Sequence, residues 1–355
     1  MLTLRPRDQT PEGTLSPGVA ASARVPVVIV TGYLGSGKTS LITSLLRRPD
    51  MIGTAVVVNE LAPVGVDQSI IADAGAEDVV LLKNGCLCCA AGSDLRNAVA
   101  RLLQWRGDER SSPRRILIET SGAADPGPIL RQVCFDPALR SRVRNGGVLT
   151  LFDIVNGREM FARDPVGLRQ IGLADQIILT KADIASPHAR EAARRFVQSL
   201  NPAARLSSEP DAARLFVAAA GRGVAKTEIS TWLGEAGPLT GVSAAHESIL
   251  ATWSIQSQKR VEWLRVEPAL GAIFERHGDD LLRTKGIVWT EGDERPLVIH
   301  GVGRQFHRPV RLSAWSGDPS SRIVIIGFAG ATAAAAAIAE ALDGGVTLYA
   351  AAAAE

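Results

Sequence analysis

The stretch Val27-Val28-Ile29-Val30-Thr31 runs directly into Gly32-Tyr33-Leu34-Gly35-Ser36-Gly37-Lys38-Thr39-Ser40 and then into Leu41-Ile42-Thr43-Ser44-Leu45-Leu46-Arg47-Arg48. The first segment is a β-branched apolar run of strand length, and the last has the apolar spacing of an amphipathic helix. Between them stands Gly-x4-Gly-Lys-Thr, the phosphate-loop pattern, in the strand-to-helix context it requires. Gly32, Gly35 and Gly37 let backbone N–H groups curl round a polyphosphate, with Ser36 and Ser40 in the same loop and helix start. Lys38 reaches the outer phosphates, as an exposed charge rather than a packing group, and Thr39 offers a hydroxyl to magnesium.

Working outward, TAVVVN (54–59), DVVLL (78–82), RILIET (115–120), VLTLF (148–152) and QIILT (176–180) each read as a buried strand, with helical segments between most of them. Continuous apolar strands interleaved with helices imply a parallel sheet covered on both faces, an α/β P-loop fold whose ligands sit at the carboxyl ends of the strands. The alternation lapses in the Gly/Ser/Ala stretch from Gly234 to Ala245, which reads as a linker. A smaller α+β unit follows: a strand (ATWSIQ), a helix over Val261 to His277, strands RTKGIVW, PLVIHGV, VRLSAW and RIVIIGF, and an Ala-rich helix from Ala331. Ala350 to Ala354 read as helix propensity or a frayed tail. The expected organisation is a disordered segment over 1–24, a P-loop domain over 25–233 and a carboxyl-terminal domain over 246–346.

Composition narrows the function classes. A chain of 355 residues with 46% hydrophobic content can bury two cores, and a net charge of +2 gives no reason to expect a nucleic-acid surface. No apolar run has the length of a membrane span, and the first two dozen residues lack a signal-peptide core, so a cytoplasmic protein is expected. Three of the four cysteines are Cys86, Cys88 and Cys89. That crowding suits a soft metal or redox site better than a disulfide framework, and converging thiolates select zinc, copper(I), or cobalt and iron in suitable geometry. Cys134 reads as core.

Two more strand ends carry chemistry. RILIE ends on Glu119, a carboxylate facing the phosphate loop and able to hold magnesium or its water shell, and Gly122 follows with an N–H for the terminal phosphate. QIILT runs into Thr180-Lys181-Ala182-Asp183, which is similar to the N-K-x-D element of GTPases. The Asp183 carboxylate can accept guanine's two edge donors, a pairing that adenine lacks, while Lys181 lays its stem over the base. Thr180 replaces the asparagine that normally tethers this loop, so softened base affinity is expected. The turn Ala220 to Gly223 is a weaker candidate contact to the base.

With GYLGSGKTS, VVVNELAPVGVD, KNGCLCC, RILIETSGAADP and LTKAD in that order, the chain resembles the CobW-type family of P-loop GTPases over about residues 25 to 220. LLRTKGIVW, PLVIHGVGRQF, Trp315 and SRIVIIG add likeness in the second half. The resemblance implies GTP hydrolysis coupled to delivery of a transition metal, zinc or cobalt, to a client metalloprotein, with Cys86, Cys88 and Cys89 as ligands near the switch regions. Members serve cobalamin synthesis, zinc homeostasis or metalloenzyme maturation. Asp67 joins Thr39 and Glu119 as a residue serving magnesium or the attacking water. Two departures stand out: Pro63 occupies a position where relatives carry a second Glu, and the five histidines are scattered rather than clustered. A homodimer is left open. The rival readings are a P-loop kinase of a small molecule, against which TKAD argues, and a zinc sensor with little turnover.

Overall fold

The computed structural model describes residues 24–59, 78–82, 93–104, 113–207, 250–312, 315 and 319–350. The residues Glu60 to Asp67, Cys86, Cys88, Cys89, Ala220 to Gly223 and the linker read at 234–245 lie outside the described residues, as does 1–23.

Seven strands form the first sheet: β1 (Val25–Gly32), β2 (Thr54–Asn59), β3 (Asp78–Leu82), β4 (Arg115–Glu119), β5 (Val143–Asp153), β6 (Gln176–Thr180) and β7 (Arg205–Ser207), in the order β3-β2-β4-β1-β5-β6-β7. Every pairing is parallel. The apolar runs are continuous because both faces are covered: Val27, Ile29, Ile116 and Ile118 point into one core, and Val28, Val30 and Leu117 into another. Helix α1 (Lys38–Leu46) packs Leu41, Ile42 and Leu45 on the second face. On the first lie α2 (Ser93–Gln104), α3 (Gly127–Phe135) with the short α4 (Pro137–Arg140), α5 (Gly157–Arg163), α6 (Pro165–Gly172) and α7 (Pro187–Leu200). The register aligns Val30 with Glu119 across β1–β4, and Asp153 with Thr180 across β5–β6. The phosphate loop, Glu119 and the Thr180 segment therefore leave the sheet at one edge, and β1 is the strand at which the order reverses.

The second sheet is antiparallel and built from β8 (Leu250–Ser257), β9 (Leu281–Val288), β10 (Leu297–Val302), β11 (Gln305–Phe306), β12 (Val310–Arg311), β13 (Ser321–Phe328) and β14 (Gly345–Ala350). Helices α8 (Trp263–His277) and α9 (Thr332–Ala341) cover one face. The run Ile323-Val324-Ile325-Ile326 shows why this strand is apolar throughout. Ile323 and Ile325 pack with α8 and α9, whereas Val324 and Ile326, with Leu250, Leu282 and Val302, join the core of the first domain. The small side chains Ala334, Ala335 and Ala339 let α9 lie close on the sheet. Three strands differ from the expectation. Among the described residues of VRLSAW, the strand covers Val310–Arg311, where it pairs with β10. Strand β14, unforeseen in the sequence, pairs with β8 as far as Ala350; the rest of the tail read at 350–354 lies outside the described residues. Strand β5 begins at Val143, ahead of the apolar run, because Val25 and Pro26 on β1 give its polar start a partner.

One carboxylate ties the two sheets together. Asp175, just before β6, accepts Val148 N at 2.8 Å from its own domain and Arg283 Nη2 at 2.8 and 2.7 Å from β9. Lys285 Nζ also donates to it, and Arg283 Nη1 donates to the Leu173 carbonyl. Arg283 and Lys285 alternate along a strand, so both reach the same face. Burial alone would raise the Asp175 carboxyl, but the two cations outweigh it and hold the group well below the usual carboxylate range. Burial likewise lowers Lys285 to about 8 and keeps His300 neutral, well under the ordinary imidazole value.

Asp175→Ala strands two buried cations without their counter-charge and is expected to destabilise the chain by about 3–5 kcal/mol. Chemical denaturation reads this directly, and an unchanged midpoint would contradict it. A carboxylate depressed on folding contributes stability that is complete above its unfolded value, near about pH 4, and is lost as the pH falls through the folded value. The parent chain is therefore expected to lose stability in acid more steeply than Asp175→Asn does.

Candidate functional site

Gly35 and Gly37 adopt φ of 73° and 93°, the left-handed region that keeps the loop curled, and Gly37 is the residue that opens α1. A side chain at Gly32 would collide with the Leu151 carbonyl, so β5 sets the base of the loop. Ser36 is buried, and its hydroxyl has no partner among the described residues. Ser40 is exposed on the first turn of α1. Lys38 is more deeply placed than expected. It is 9% exposed, and Nζ donates to the Gly32 and Tyr33 carbonyls at 2.9 and 3.2 Å, so it braces the loop as well as charging it.

Thr39 Oγ1 donates to Glu119 Oε1 at 2.8 Å, and Glu119 is 5% exposed. A hydroxyl and a buried carboxylate brought together from α1 and the end of β4 are hard oxygen donors of the kind magnesium takes beside a nucleotide, and they fit that ion. Beyond Glu119, Thr120 N donates to the Val30 carbonyl and Thr120 Oγ1 to Thr31 Oγ1, at 3.0 and 2.8 Å. The chain then passes so close to the phosphate loop that a Cβ on Gly122 would lie 2.5 Å from Leu34 N and 2.7 Å from Leu34 Cα. The loop is held there by Gln170 of α6, fully buried, whose Nε2 donates to the Gly122 and Ala124 carbonyls at 3.2 and 3.1 Å.

On the other side of β1, Thr180 Oγ1 donates to the Phe152 carbonyl at 3.2 Å. The hydroxyl thus ties the end of β6 to β5, a tether the missing carboxamide was expected to cost. Lys181 takes a left-handed φ of 60°, a strained conformation for a side-chain-bearing residue, and its Nζ donates to Asp153 Oδ2 at 2.7 Å. Asp153 is itself fixed by Val155 N at 2.8 Å and Asn156 Nδ2 at 3.1 Å. Burial works to raise its carboxyl, but the bonds from Lys181 and Asn156 prevail and lower it. Asp183 is exposed at the same edge and has no partner among the described residues.

The structure therefore brings Gly32, Gly35, Ser36, Gly37, Lys38, Thr39, Glu119 and Gly122 together, with Thr180, Lys181 and Asp183 along the same edge. Among the described residues no group of three His, Cys, Asp or Glu side chains could hold a metal, and the expected soft site falls outside them. Cys134 is core, as read, and burial pushes its thiol up to about 12. Sequence reasoning missed Asp153 and Gln170. Asp153 carried a usable signal, an acid at the end of a strand flanking the central one. Gln170 carried none, since nothing in the sequence separates it from any other polar residue of an amphipathic helix.

Gly122→Ala would force a methyl group into the backbone of the phosphate loop. Turnover is expected to fall about 100-fold, the scale of an ångström-level misplacement, while circular dichroism stays that of the parent. Parent-like turnover would show that this approach does not matter.

Similarity to known proteins follows the two sheets. Residues 26–208 match the model of the CobW/HypB/UreG nucleotide-binding domain, and residues 250–345 match the cobalamin synthesis protein cobW C-terminal domain. The chain is 28% identical over 307 residues to the zinc chaperone YjiA of Escherichia coli, covering 85% of this chain and 94% of that protein. It is 35% identical over 188 residues to zinc-regulated GTPase metalloprotein activator 1 of Schizosaccharomyces pombe, covering 51% and 45%. The crystal structure of Zn(II)-bound YjiA GTPase from E. coli superposes with a TM-score of 0.61 at 22% identity, covering 90% of this chain and 98% of that one, a likeness of fold. No helix among the described residues is long and apolar enough to cross a membrane. With the first domain matched throughout and the second matched in turn, the chain belongs to the CobW/HypB/UreG family.

Proposed function

We propose that this GTPase is a metallochaperone that carries zinc or cobalt on Cys86, Cys88 and Cys89 and hands it to a client metalloprotein as its nucleotide state changes. The observation that carries the nucleotide half is the convergence, at one edge of a parallel sheet, of a braced phosphate loop, the Thr39–Glu119 pair, Gly122 and the anchored Thr180–Asp183 segment. The metal half rests on three cysteines within four residues and on relatives named for zinc.

In this reading the backbone N–H groups of residues 35 to 38 hold the β- and γ-phosphates, and Lys38 adds its charge to the outer oxygens. Thr39 and Glu119 hold magnesium, which supplies positive charge to the phosphates when bound. Gly122 donates its N–H to the terminal phosphate from a position that Gln170 fixes. A water oxygen attacks the γ-phosphorus, the bond to the β–γ bridging oxygen breaks with its electron pair going to GDP, and the water's proton passes to the departing inorganic phosphate. Asp67 is proposed to orient the water. Asp183 accepts from guanine N1–H and the exocyclic amine, and Lys181, its head held by Asp153, lies over the base. Turnover by the chain alone is slow, because the motifs at this edge contribute no arginine to the γ-phosphate and a partner would supply one.

The metal is cargo. Thiolates at Cys86, Cys88 and Cys89 bind it, and the segment between Glu60 and Asp67 senses the terminal phosphate, closing the metal site with GTP and relaxing after hydrolysis. A thiol must lose its proton to coordinate, so affinity rises with pH.

Guanine selection is the part of this reading that one substitution isolates. GTP is expected to bind at least about 100-fold more tightly than ATP, because a hydrogen-bonding site rejects an analogue that leaves its polar group unpaired. Asp183→Asn should remove the preference, as read by competition of unlabelled nucleotides against a fluorescent GTP analogue. Equal affinities for ATP and GTP in the parent chain would sink the GTPase assignment in favour of a kinase.

A further inference from the structure

A cavity of about 520 Å³ is lined by residues of both domains. Its walls are the start of α3 and the end of α6 on one side, and the β10–β11 turn with the end of α8 on the other. Leu173 and Leu282 give it an apolar floor, and three arginines, Arg131, Arg169 and Arg304, face one acid, Asp279. The size is that of a small-molecule site.

The three guanidinium groups are not equivalent. Arg304 is committed to Asp279, with Nε 2.8 Å from Oδ1 and a further bond from Nη2 to Oδ2. Arg169 stacks over the Phe328 ring at 5.0 Å and touches Asp125 only at 3.6 Å. Arg131 is half-buried and has no hydrogen-bond or ion-pair partner among the described residues. A Cβ at Gly127 would lie 3.0 Å from Asp125 Oδ1 and 3.3 Å from Arg131 Nη1, and one at Gly303 3.9 Å from Arg131 Nη1, so two glycines, one from each domain, leave the fork room near the Asp125 carboxylate. A partly buried arginine with open donors, another beside it only loosely held and an apolar floor form a receptor for a planar or tetrahedral oxyanion on a small carbon frame.

We propose that this interdomain cleft binds a small molecule bearing a phosphate or carboxylate, gripped by Arg131 with Arg169 in support. The site is separate from the nucleotide edge, and its occupant bridges the domains. Arg169 is the chain neighbour of Gln170, which holds the Gly122 turn, so a ligand on Arg169 can bias that turn.

Phenylglyoxal labelling of the full chain, saturated with a non-hydrolysable GTP analogue and magnesium so that the phosphate loop is filled, tests this by peptide mass mapping. Arg131 is expected to react faster than Arg304. Inorganic phosphate or succinate, raised to about ten times its Kd, should slow the labelling of Arg131 roughly tenfold, whereas chloride at equal ionic strength should not. Whichever anion protects at the lower concentration names the ligand class. Arg169→Gln should weaken the protection several-fold, measured as the ratio of labelling rates with and without anion in the same variant. An unreactive Arg131, protection no better than with chloride, or protection indifferent to Arg169→Gln would each overturn the proposal.

Discussion

Two stretches of backbone, the phosphate loop at Leu34 and the turn at Gly122, lie so close that no side chain fits between them. Such an approach needs a force to hold it, because each carbonyl in a buried turn must be hydrogen-bonded. Gln170 supplies that force from the far side, with both amide hydrogens given to the turn. The Thr39–Glu119 bond closes the same corner from α1. The corner is thus fixed at two points, and movement there must be shared with α6.

That helix links the nucleotide edge to the second domain. Leu282 of β9 packs against Gly172, its Cδ1 2.8 Å from where a Cβ would stand, and the Leu173 carbonyl accepts from Arg283. Asp175, two residues on, holds the two cations of β9. A buried ion cluster of this kind adds little net stability compared with apolar packing, yet it tolerates only one arrangement of its partners. It fixes how β9 meets the first domain, and with it the walls of the arginine-lined cleft.

The readable parts of this architecture were those whose chemistry is local in the chain. The phosphate loop, Glu119 and TKAD each need only a strand, a turn and a few residues at fixed spacing, so the fold class and the nucleotide edge were legible. Groups that act across long separations were not. Gln170 meets Gly122 from 48 residues away, and Arg283 meets Asp175 from 108, and neither pairing leaves a local pattern. Lys38 was read as an exposed phosphate ligand, and its role as a buried brace left no signal, because its carbonyl partners are backbone groups of its own loop. Strand β14 escaped notice because its alternation is short and adjoins Ala-rich sequence that favours helix.

In the proposed function nucleotide and metal are bound by one coupled device, and coupling is reciprocal by thermodynamic necessity. Metal affinity measured by competition with a chromophoric chelator, on chain saturated with a non-hydrolysable GTP analogue and magnesium and again with GDP and magnesium, reads it most directly. The account predicts zinc affinity higher in the GTP-like state, by about 5-fold or more, and lost from both states when Cys86, Cys88 and Cys89 are replaced by serine. Equal affinity in the two nucleotide states, or affinity retained without the cysteines, would contradict it.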